Sequence, residues 1–251
     1  MRFPCKIEIG SNEPPDVRGE RVSLPNVDRP FRVLFMSDLH LRERKTERLC
    51  DQLKRIVAAV KADLLLLGGD LVDKPCGLPQ LTELVASACR MCLVGAIGGN
   101  HDRRVGIGVV ERAVELAGGV WLDRRPLAFF AGATRVVASG TVARRTPPSD
   151  VSIRCVHYPD SFVRNGAGEH DLVFAGHLHG CQMTAFAWRG RHYPGAWFYR
   201  WNGLRFARRN SVMLVSRGLR DVVPVRVNCP REVILCHCSG QGMSPGAESG
   251  G

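Results

Sequence analysis

The sequence predicts an α/β fold in which two β-sheets pack face to face with helices on the outside. Three features of the 251-residue chain lead to this prediction. Short apolar runs alternate with helical periodicity in the first half, and strand-like runs dominate the second half. In addition, polar strings follow the ends of several apolar runs, where the loops of an α/β sheet converge.

The chain is expected to form a single domain over residues 1–238. Its hydrophobic content of 45% is sufficient for a full core, and its middle contains no linker-like stretch. The Gly- and Ser-rich tail at 239–251 is expected to be disordered, since it offers little apolar surface to bury.

The first half alternates strands and helices. A strand at 31–37 precedes a helix over 46–61, in which five apolar residues share one face: Leu49, Leu53, Ile56, Val57 and Val60. Further strands lie at 64–67 and 93–97. Pro79 is expected to open a second helix, and a third helix is expected over 107–117. This alternation indicates right-handed βαβ units and a parallel or mixed sheet.

The second half predicts another, more antiparallel sheet. Its strand-like runs lie at 135–139, 151–156, 171–175, 212–216, 222–227 and 232–237. Packing the two sheets against each other buries one face of each, and helices cover the outside.

Five short polar segments, called polar strings below, contain the candidate metal ligands and catalytic residues. In chain order they are Asp38-Leu39-His40, Gly69-Asp70, Gly99-Asn100-His101-Asp102, His157 and Gly176-His177-Leu178-His179. They include five of the 8 histidines and supply carboxylate, imidazole and amide-oxygen ligands. This concentration of ligands predicts a two-metal centre that hydrolyses phosphate esters.

The order of these strings resembles the calcineurin-like metallophosphoesterase family. Its pattern is Asp-x-His, Gly-Asp, Gly-Asn-His-Asp/Glu, a distant His and Gly-His-x-His. Segments 215–219 and 224–233 resemble the bacterial YkuE-like branch, which includes membrane-associated phosphodiesterases and relatives of UDP-diacylglucosamine pyrophosphatases. The resemblance covers residues 30–237 and implies a four-layer αββα sandwich of two mixed β-sheets flanked by helices.

The resemblance also implies the ligands of two divalent metal ions, with one carboxylate common to both. For one ion these are Asp38, His40, Asp70 and His179, and for the other Asp70, Asn100, His157 and His177. Mixed imidazole and oxygen ligands suit Mn, Fe or Zn better than Mg or Ca, and Mn is favoured.

In the implied reaction a hydroxide held between the ions attacks phosphorus in line. His101 is not a ligand and acts as general acid at the leaving oxygen. Asp102 is expected to orient His101 by accepting a hydrogen bond. Two departures from the branch stand out: Tyr158 is expected to narrow the cleft, and Cys181 is interpreted as a bystander near the metals.

The expected function is hydrolysis of a small or lipid-linked phosphate ester, by a phosphodiesterase or a pyrophosphatase. A nuclease is the alternative enzyme, motivated by the formal charge of +11. A metal-binding scaffold without catalysis is the alternative outside enzymes. The presence of every implied ligand and of His101 favours the enzyme.

Segment 186–208 contains three of the 4 Trp residues, interleaved with Arg. Such a segment suits an irregular loop that packs its aromatics on the core, a membrane interface, or stacking on nucleic-acid bases. The packed loop is favoured, peripheral membrane contact comes next, and nucleic acid comes last.

The sequence favours the cytoplasm. It shows no signal-peptide pattern, and no window approaches 18 uncharged apolar residues. The 10 cysteines are scattered, so reduced and packed thiols are expected.

Overall fold

The computed structural model describes residues 6–10, 13–42, 46–141, 148–164, 170–221 and 223–241. In chain order the strands are β1 (Ile7–Ile9), β2 (Asp16–Leu24), β3 (Phe31–Met36), β4 (Leu64–Gly68), β5 (Leu93–Ile97), β6 (Val120–Trp121), β7 (Leu127–Ala131), β8 (Thr134–Ser139), β9 (Val151–Val156), β10 (Leu172–Ala175), β11 (Thr184–Trp188), β12 (Arg191–Pro194), β13 (Arg205–Arg208), β14 (Ser211–Val215), β15 (Val225–Val227) and β16 (Glu232–Gly240). The α-helices are α1 (Glu47–Val60), α2 (Leu78–Cys89), α3 (Asn100–Val105), α4 (Ile107–Leu116) and α5 (Ser161–Arg164).

The first sheet contains the strands that alternate with helices. In the described part of the chain it has six strands in the order β2-β16-β3-β4-β5-β6, antiparallel only between β16 and β3. Helices α1, α2 and α4 cover one face, where Leu34 and Met36 of β3 pack. The intervening Val33 and Phe35 point toward the second sheet, as the two-residue period of a strand requires.

The second sheet lies on that opposite face. Its order within the described residues is β13-β14-β10-β9-β8-β7, with parallel pairing in the middle and antiparallel hairpins at both edges. Ile153, Phe174 and Leu214 fill the space between the sheets. On the outer face Phe162 of α5 and Trp201 pack over β10 and β14. Two mixed sheets flanked by helices confirm the predicted fold class.

Two strand-like runs lie elsewhere than the sequence predicted. The run at 232–237 is β16, which inserts between β2 and β3 of the first sheet instead of joining the second. The run at 222–227 shortens to β15, which pairs with β1 in a separate ribbon. The alternation of apolar residues along a strand indicates which face is buried but not which strand it pairs with. The local pattern therefore could not predict the sheet to which either strand belongs. Strand β16 also includes Ser239 and Gly240, so part of the expected tail is ordered, and its residues 242–251 lie outside the described residues.

Segment 186–208 is more regular than the expected loop. Strands β11 and β12 form an antiparallel hairpin, and β13 pairs with β14 at the edge of the second sheet. Tyr193 and Trp201 are buried as expected, whereas Trp188, Trp197 and Phe198 are exposed. The prediction of aromatics packed on the core is therefore wrong for those three.

Two further expectations concern membranes and thiols. None of the described helices is both long and apolar enough to cross a bilayer. The cysteines in the described ranges are all free thiols, most of them buried or half-buried. The expectation of packed cysteines agrees with this burial at every described position except Cys76, which is exposed.

Candidate metal centre

Three loops at one edge of the first sheet present oxygen and nitrogen ligands. Asp38 and His40 follow β3. Asp70 follows β4, and Asn100 begins α3 directly after β5. The His40 N–H donates to the Asp70 carbonyl over 2.9 Å, which fastens the first loop to the second. Because loops at the carboxyl ends of adjacent parallel strands share one edge, these side chains converge.

The second sheet contributes the remaining imidazoles. His157 follows β9, and His177 and His179 follow β10. The Gly176 N–H donates to the His157 carbonyl over 3.1 Å and holds these two loops side by side. The His177 N–H donates to Asp38 Oδ1 over 3.1 Å, which connects the second sheet to the first.

Asp38, His40 and His179 form one group of ligand atoms, all of them buried. His179 Nε2 lies 3.5 Å from Asp38 Oδ1 and 3.4 Å from His40 Nε2. A single cation could be reached from all three side chains, because their ligand atoms lie within 4.8 Å of one another.

Asp70, His157 and His177 form a second group. His157 Nε2 lies 3.3 Å from Asp70 Oδ2 and 3.1 Å from Asn100 Oδ1. The amide oxygen of Asn100 therefore joins the same group. Asn100 and His177 are the partly buried members of this group.

Asp70 lies between the two groups. Its Oδ2 is 3.3 Å from His157 Nε2 and 3.9 Å from His40 Nε2, so one oxygen faces an imidazole of each group. Its Oδ1 accepts the backbone N–H of His101 over 2.8 Å, which fixes the orientation of the carboxylate. This is the position that a shared ligand must occupy.

Three imidazoles have one nitrogen bonded and the other available. The Nδ1 of His157 donates to the carbonyl of Gly68, and the Nδ1 of His179 donates to the carbonyl of Arg220, each over 2.9 Å. Because a carbonyl only accepts, the proton that each ring keeps in its neutral form is on Nδ1, so Nε2 is the nitrogen that would give up its proton and offer a lone pair to a bound ion. The Nδ1 of His40 is engaged in the same way by a carboxylate. Neutral imidazole nitrogens beside carboxylate oxygens fit two divalent transition ions.

The backbone at the centre is unusual. Five implied ligands have positive φ angles: Asp38 (59°), His40 (45°), Asp70 (51°), His177 (72°) and His179 (49°). This left-handed region is uncommon for residues other than glycine, and each instance costs roughly 1 kcal/mol or more. The surrounding hydrogen bonds hold these residues there, and such a concentration is typical of a functional site.

Charge interactions hold the carboxylates in their ionised form. Burial would raise the pKa of Asp70, but its hydrogen bond and charge interaction with His157 keep that pKa well below its ordinary value. The pKa of Asp38 is likewise lowered, because the charges of His179, His157 and His40 outweigh its burial. Burial opposes protonation of His157, yet the bond to Asp70 and the nearby carboxylates raise its pKa to about 9. Two buried anions thus face a ring of imidazoles.

Asp73 is a site residue that sequence reasoning missed. Its Oδ1 accepts hydrogen bonds from His40 Nδ1 over 2.7 Å and from His101 Nδ1 over 2.8 Å. Burial would raise the pKa of Asp73, but the bonds and charges of His40 and His101 lower it. One carboxylate therefore orients both a ligand and the implied general acid. The available signal was its position three residues after Asp70, in the same strand-end loop.

Asp102 has a different role from the one predicted. Its fully buried carboxylate accepts the backbone N–H groups of Leu71, Val72 and Gly99 over 2.8 to 3.1 Å, and no contact with the His101 ring is found among the described residues. Asp102 is the third residue of α3, and it caps that helix through Gly99. It fastens the loop after β5 to the loop after β4. The prediction that it orients His101 is corrected by the position of Asp73.

The centre opens into a cleft of about 290 Å³ with charged walls. Beside the implied ligands, His101 and Asp73, the walls include Arg42, Arg220 and Asp221. Arg42 and Arg220 line the same cleft, and burial, followed by the charge of Arg42, lowers the pKa of Arg220. Such a pair suits an anionic group of a substrate.

Tyr158 lies beside the second ligand group. Its ring centroid is 4.4 Å from that of His177, and its hydroxyl donates to Asn100 Oδ1 over 3.2 Å. The hydroxyl thus restrains one implied ligand. Cys181, the other departure noted in the sequence, lies in an adjoining groove with Leu178 and Gln182, and burial raises the pKa of its thiol.

Comparison with known proteins places the fold and the centre in a family context. The family model described as Calcineurin-like phosphoesterase matches residues 31–181, which contain all the implied ligands. The uncharacterized metallophosphoesterase Cj0846 of Campylobacter jejuni is 24% identical over 246 residues, covering 90% of this chain and 64% of that protein.

Two other relatives are similar over most of the chain. The phosphodiesterase YaeI of Escherichia coli is 27% identical over 220 residues, covering 82% of this chain and 81% of that protein. The uncharacterized metallophosphoesterase YkuE of Bacillus subtilis is 27% identical over 178 residues, covering 61% of this chain and 59% of that protein. The chain spans less than two thirds of the length of the Campylobacter and Bacillus proteins. Because the family model matches more than half of the sequence, the chain belongs to the calcineurin-like phosphoesterase family.

Proposed function

We propose that the protein hydrolyses phosphate esters at a centre of two divalent ions, as a phosphodiesterase or a pyrophosphatase acting on a small or lipid-linked substrate. The observation that carries the proposal is the position of Asp70 between two groups of ligand atoms, with His101 on the same cleft. Family membership supports the reaction class, and the relative YaeI is named a phosphodiesterase.

When bound, the ions would supply an activated water and Lewis-acid neutralisation of the phosphoryl charge. The chain supplies orientation. Asp73 accepts the Nδ1 hydrogen bond of His101, which leaves Nε2 as the nitrogen that delivers a proton to the leaving oxygen. Arg42 and Arg220 on the cleft wall favour a substrate with further negative charge.

Manganese is the ion that we favour, with iron or zinc as alternatives. The proposed ligands are Asp38, His40, Asp70 and His179 for one ion and Asp70, Asn100, His157 and His177 for the other. Carboxylate and amide oxygens suit Mn, whereas the imidazoles also suit Fe and Zn.

A substrate panel with added Mn²⁺ tests the proposal. The substrates are bis(nitrophenyl) phosphate, nitrophenyl phosphate, a nucleoside-diphosphate lipid and single-stranded DNA. We expect turnover of the diester or of the diphosphate lipid, with slower turnover of the monoester. Preferential cleavage of DNA would favour a nuclease, and absence of turnover on the whole panel would favour a scaffold.

Asp70→Asn tests the shared ligand. It removes the charge common to both groups, so we expect a loss of activity of about 10³-fold or more and reduced content of both ions by elemental analysis. Glu111→Gln is the matched control, because Glu111 of α4 pairs with the exposed side chain of Arg124, and such surface pairs contribute little. Wild-type turnover in Asp70→Asn would exclude the shared role.

A further inference from the structure

A group of exposed aromatic side chains lies on and just beyond the hairpin of β11 and β12. We call it the aromatic patch, and its members are Phe186 (46% exposed), Trp188 (56%), Trp197 (68%), Phe198 (80%) and Tyr199 (50%). Large contiguous apolar surfaces are rare on monomeric proteins unless another surface covers them. The patch is therefore a candidate interaction site.

Ring contacts connect three members of the patch, and Phe198 and Tyr199 follow the third of them, Trp197, directly in the chain. The buried ring of Tyr193 stacks on Phe186 at 4.8 Å between centroids and meets Trp197 edge-on at 5.9 Å. Trp188 lies 6.5 Å from the same ring. Three exposed aromatics thus surround one anchor on one side of the hairpin, which holds them in fixed positions at little further entropic cost.

Arginines lie on and next to the patch. Residues 172–220 contain eight Arg and no Asp or Glu, although Arg205 and Arg217 pair with Glu20 and Glu232 from outside this range. The Arg189 guanidinium lies 4.6 Å from the centroid of the Trp188 ring, and exposed Arg200 lies 5.0 Å from that of Trp201. Amphipathic Trp and Tyr rings occupy the headgroup level of bilayers, and neighbouring Arg attracts anionic lipid. A purely apolar protein partner would leave these charges without a function.

A groove joins the patch to the metal centre. This cavity of about 420 Å³ is lined by His177, His179, Leu178, Cys181, Gln182, Tyr199 and Val223. His177 and His179 also line the catalytic cleft, and Tyr199 belongs to the patch. The groove therefore runs from the implied ligands toward the exposed aromatics.

We propose that the aromatic patch docks the protein onto the surface of an anionic phospholipid bilayer. The groove then admits the apolar part of a lipid-linked phosphate ester from the membrane side, a second step that rests on the proposed function. Trp188, Trp197 and Phe198 enter the interface, while Arg189 and Arg200 stay at the level of the phosphates.

Vesicle sedimentation tests the docking step without any enzymatic activity. The full chain is mixed with vesicles of phosphatidylcholine alone or with 30% phosphatidylglycerol. We expect binding to the anionic vesicles that weakens with added salt, and a loss of roughly fivefold for each of Arg189→Gln and Arg200→Gln.

The triple variant Trp188→Ser, Trp197→Ser, Phe198→Ser should lose at least about tenfold in vesicle binding. The matched control is Leu116→Ser with Phe130→Ser, two exposed apolar residues on α4 and β7 that should leave binding unchanged. Circular dichroism verifies that each variant is folded. Absence of wild-type binding to anionic vesicles, or equal binding by the triple variant, would overturn the proposal. A wild-type dimer that the triple variant loses would instead assign the patch to a second copy.

Turnover separates the docking step from the proposed function. With Mn²⁺, the triple variant should hydrolyse bis(nitrophenyl) phosphate at the wild-type rate, yet cleave a vesicle-embedded nucleoside-diphosphate lipid at least about tenfold more slowly. If wild-type protein cleaves neither substrate, the proposed function fails while the vesicle-binding result stands. Equal loss on both substrates would show that the variant damages the centre, and the route from the membrane would be rejected.

Discussion

Replacing Asp73 with Asn tests how far one carboxylate organises the centre. In the wild type, a single oxygen accepts hydrogen bonds from His40 Nδ1 at 2.7 Å and His101 Nδ1 at 2.8 Å. The amide has the same shape and retains an oxygen acceptor, but it lacks the charge. The change therefore removes the electrostatic part of two hydrogen bonds while leaving the packing intact.

The size of the effect follows from these two bonds. A hydrogen bond to a charged partner contributes ~1.5–3 kcal/mol, against about 1 kcal/mol for a neutral one, so each bond loses ~0.5–2 kcal/mol. At the middle of that range the two bonds together lose about 2–3 kcal/mol, which corresponds to roughly 30- to 150-fold in kcat/KM. The His40 part weakens a ligand, and the His101 part weakens proton delivery.

Manganese concentration separates the two parts. Activity on bis(nitrophenyl) phosphate is measured over a Mn²⁺ titration, with bound metal determined in parallel. We expect saturating Mn²⁺ to recover the ligand part and to leave a deficit of ~10-fold in kcat from His101. Asp51→Asn is the control, because Asp51 is 63% exposed on α1 and pairs only loosely with Lys54, at 3.5 Å. Activity of Asp73→Asn within twofold of wild type at every Mn²⁺ concentration would refute the reasoning.

Three further changes address neighbouring residues. His101→Asn should keep both ions but lower kcat by about 10²-fold or more, with the smallest loss on nitrophenyl esters, whose leaving groups need no proton; equal losses on alkyl esters would contradict this. Gly99→Ala places a methyl group against the Oδ1 and backbone nitrogen of Asp70 and 2.8 Å from its Cγ, so metal content should fall, and unchanged content by elemental analysis would count against the contact. Tyr158→Phe removes the hydroxyl bond to Asn100 Oδ1 and should weaken Mn²⁺ binding by roughly fivefold in a calorimetric titration, whereas unaltered affinity would mean that the bond contributes nothing.

Local hydrophobic periodicity was sufficient to predict most strands of the first sheet and the helices that cover it. Leu49, Leu53 and Val57 recur on one face of α1, and Pro79 lies in the first turn of α2, as expected. The position of β16 could not be predicted, because its partners β2 and β3 are about 200 residues away in sequence. The surface hairpin was missed for another reason: its aromatics alternate only partly, and Phe186 and Trp188 remain exposed.

The candidate site likewise has a part that could be predicted from local sequence and a part that depends on distant contacts. The five strings predicted that Asp38, Asp70 and the histidines would lie together, and the structure brings them together because each string follows the end of a strand. Asp102 was assigned to His101 because the two are adjacent in sequence. In the structure α3 begins there and turns the Asp102 carboxylate inward, so Asp73 from another loop takes its place. Consecutive residues of a helix point in different directions, so adjacency in sequence is a poor guide to which side chains meet.

The division of the implied ligands between the two sheets has a further consequence. Asp38 and His40 come from one sheet and His179 from the other, and Asp70 faces His157 across the same seam. Each cation would bind ligands from both sheets and so hold the two sheets together. A free ion concentration of 100 times the dissociation constant adds about 2.7 kcal/mol per ion to the free energy of unfolding. Starvation for transition metal would thus loosen the seam at which the chemistry is assembled.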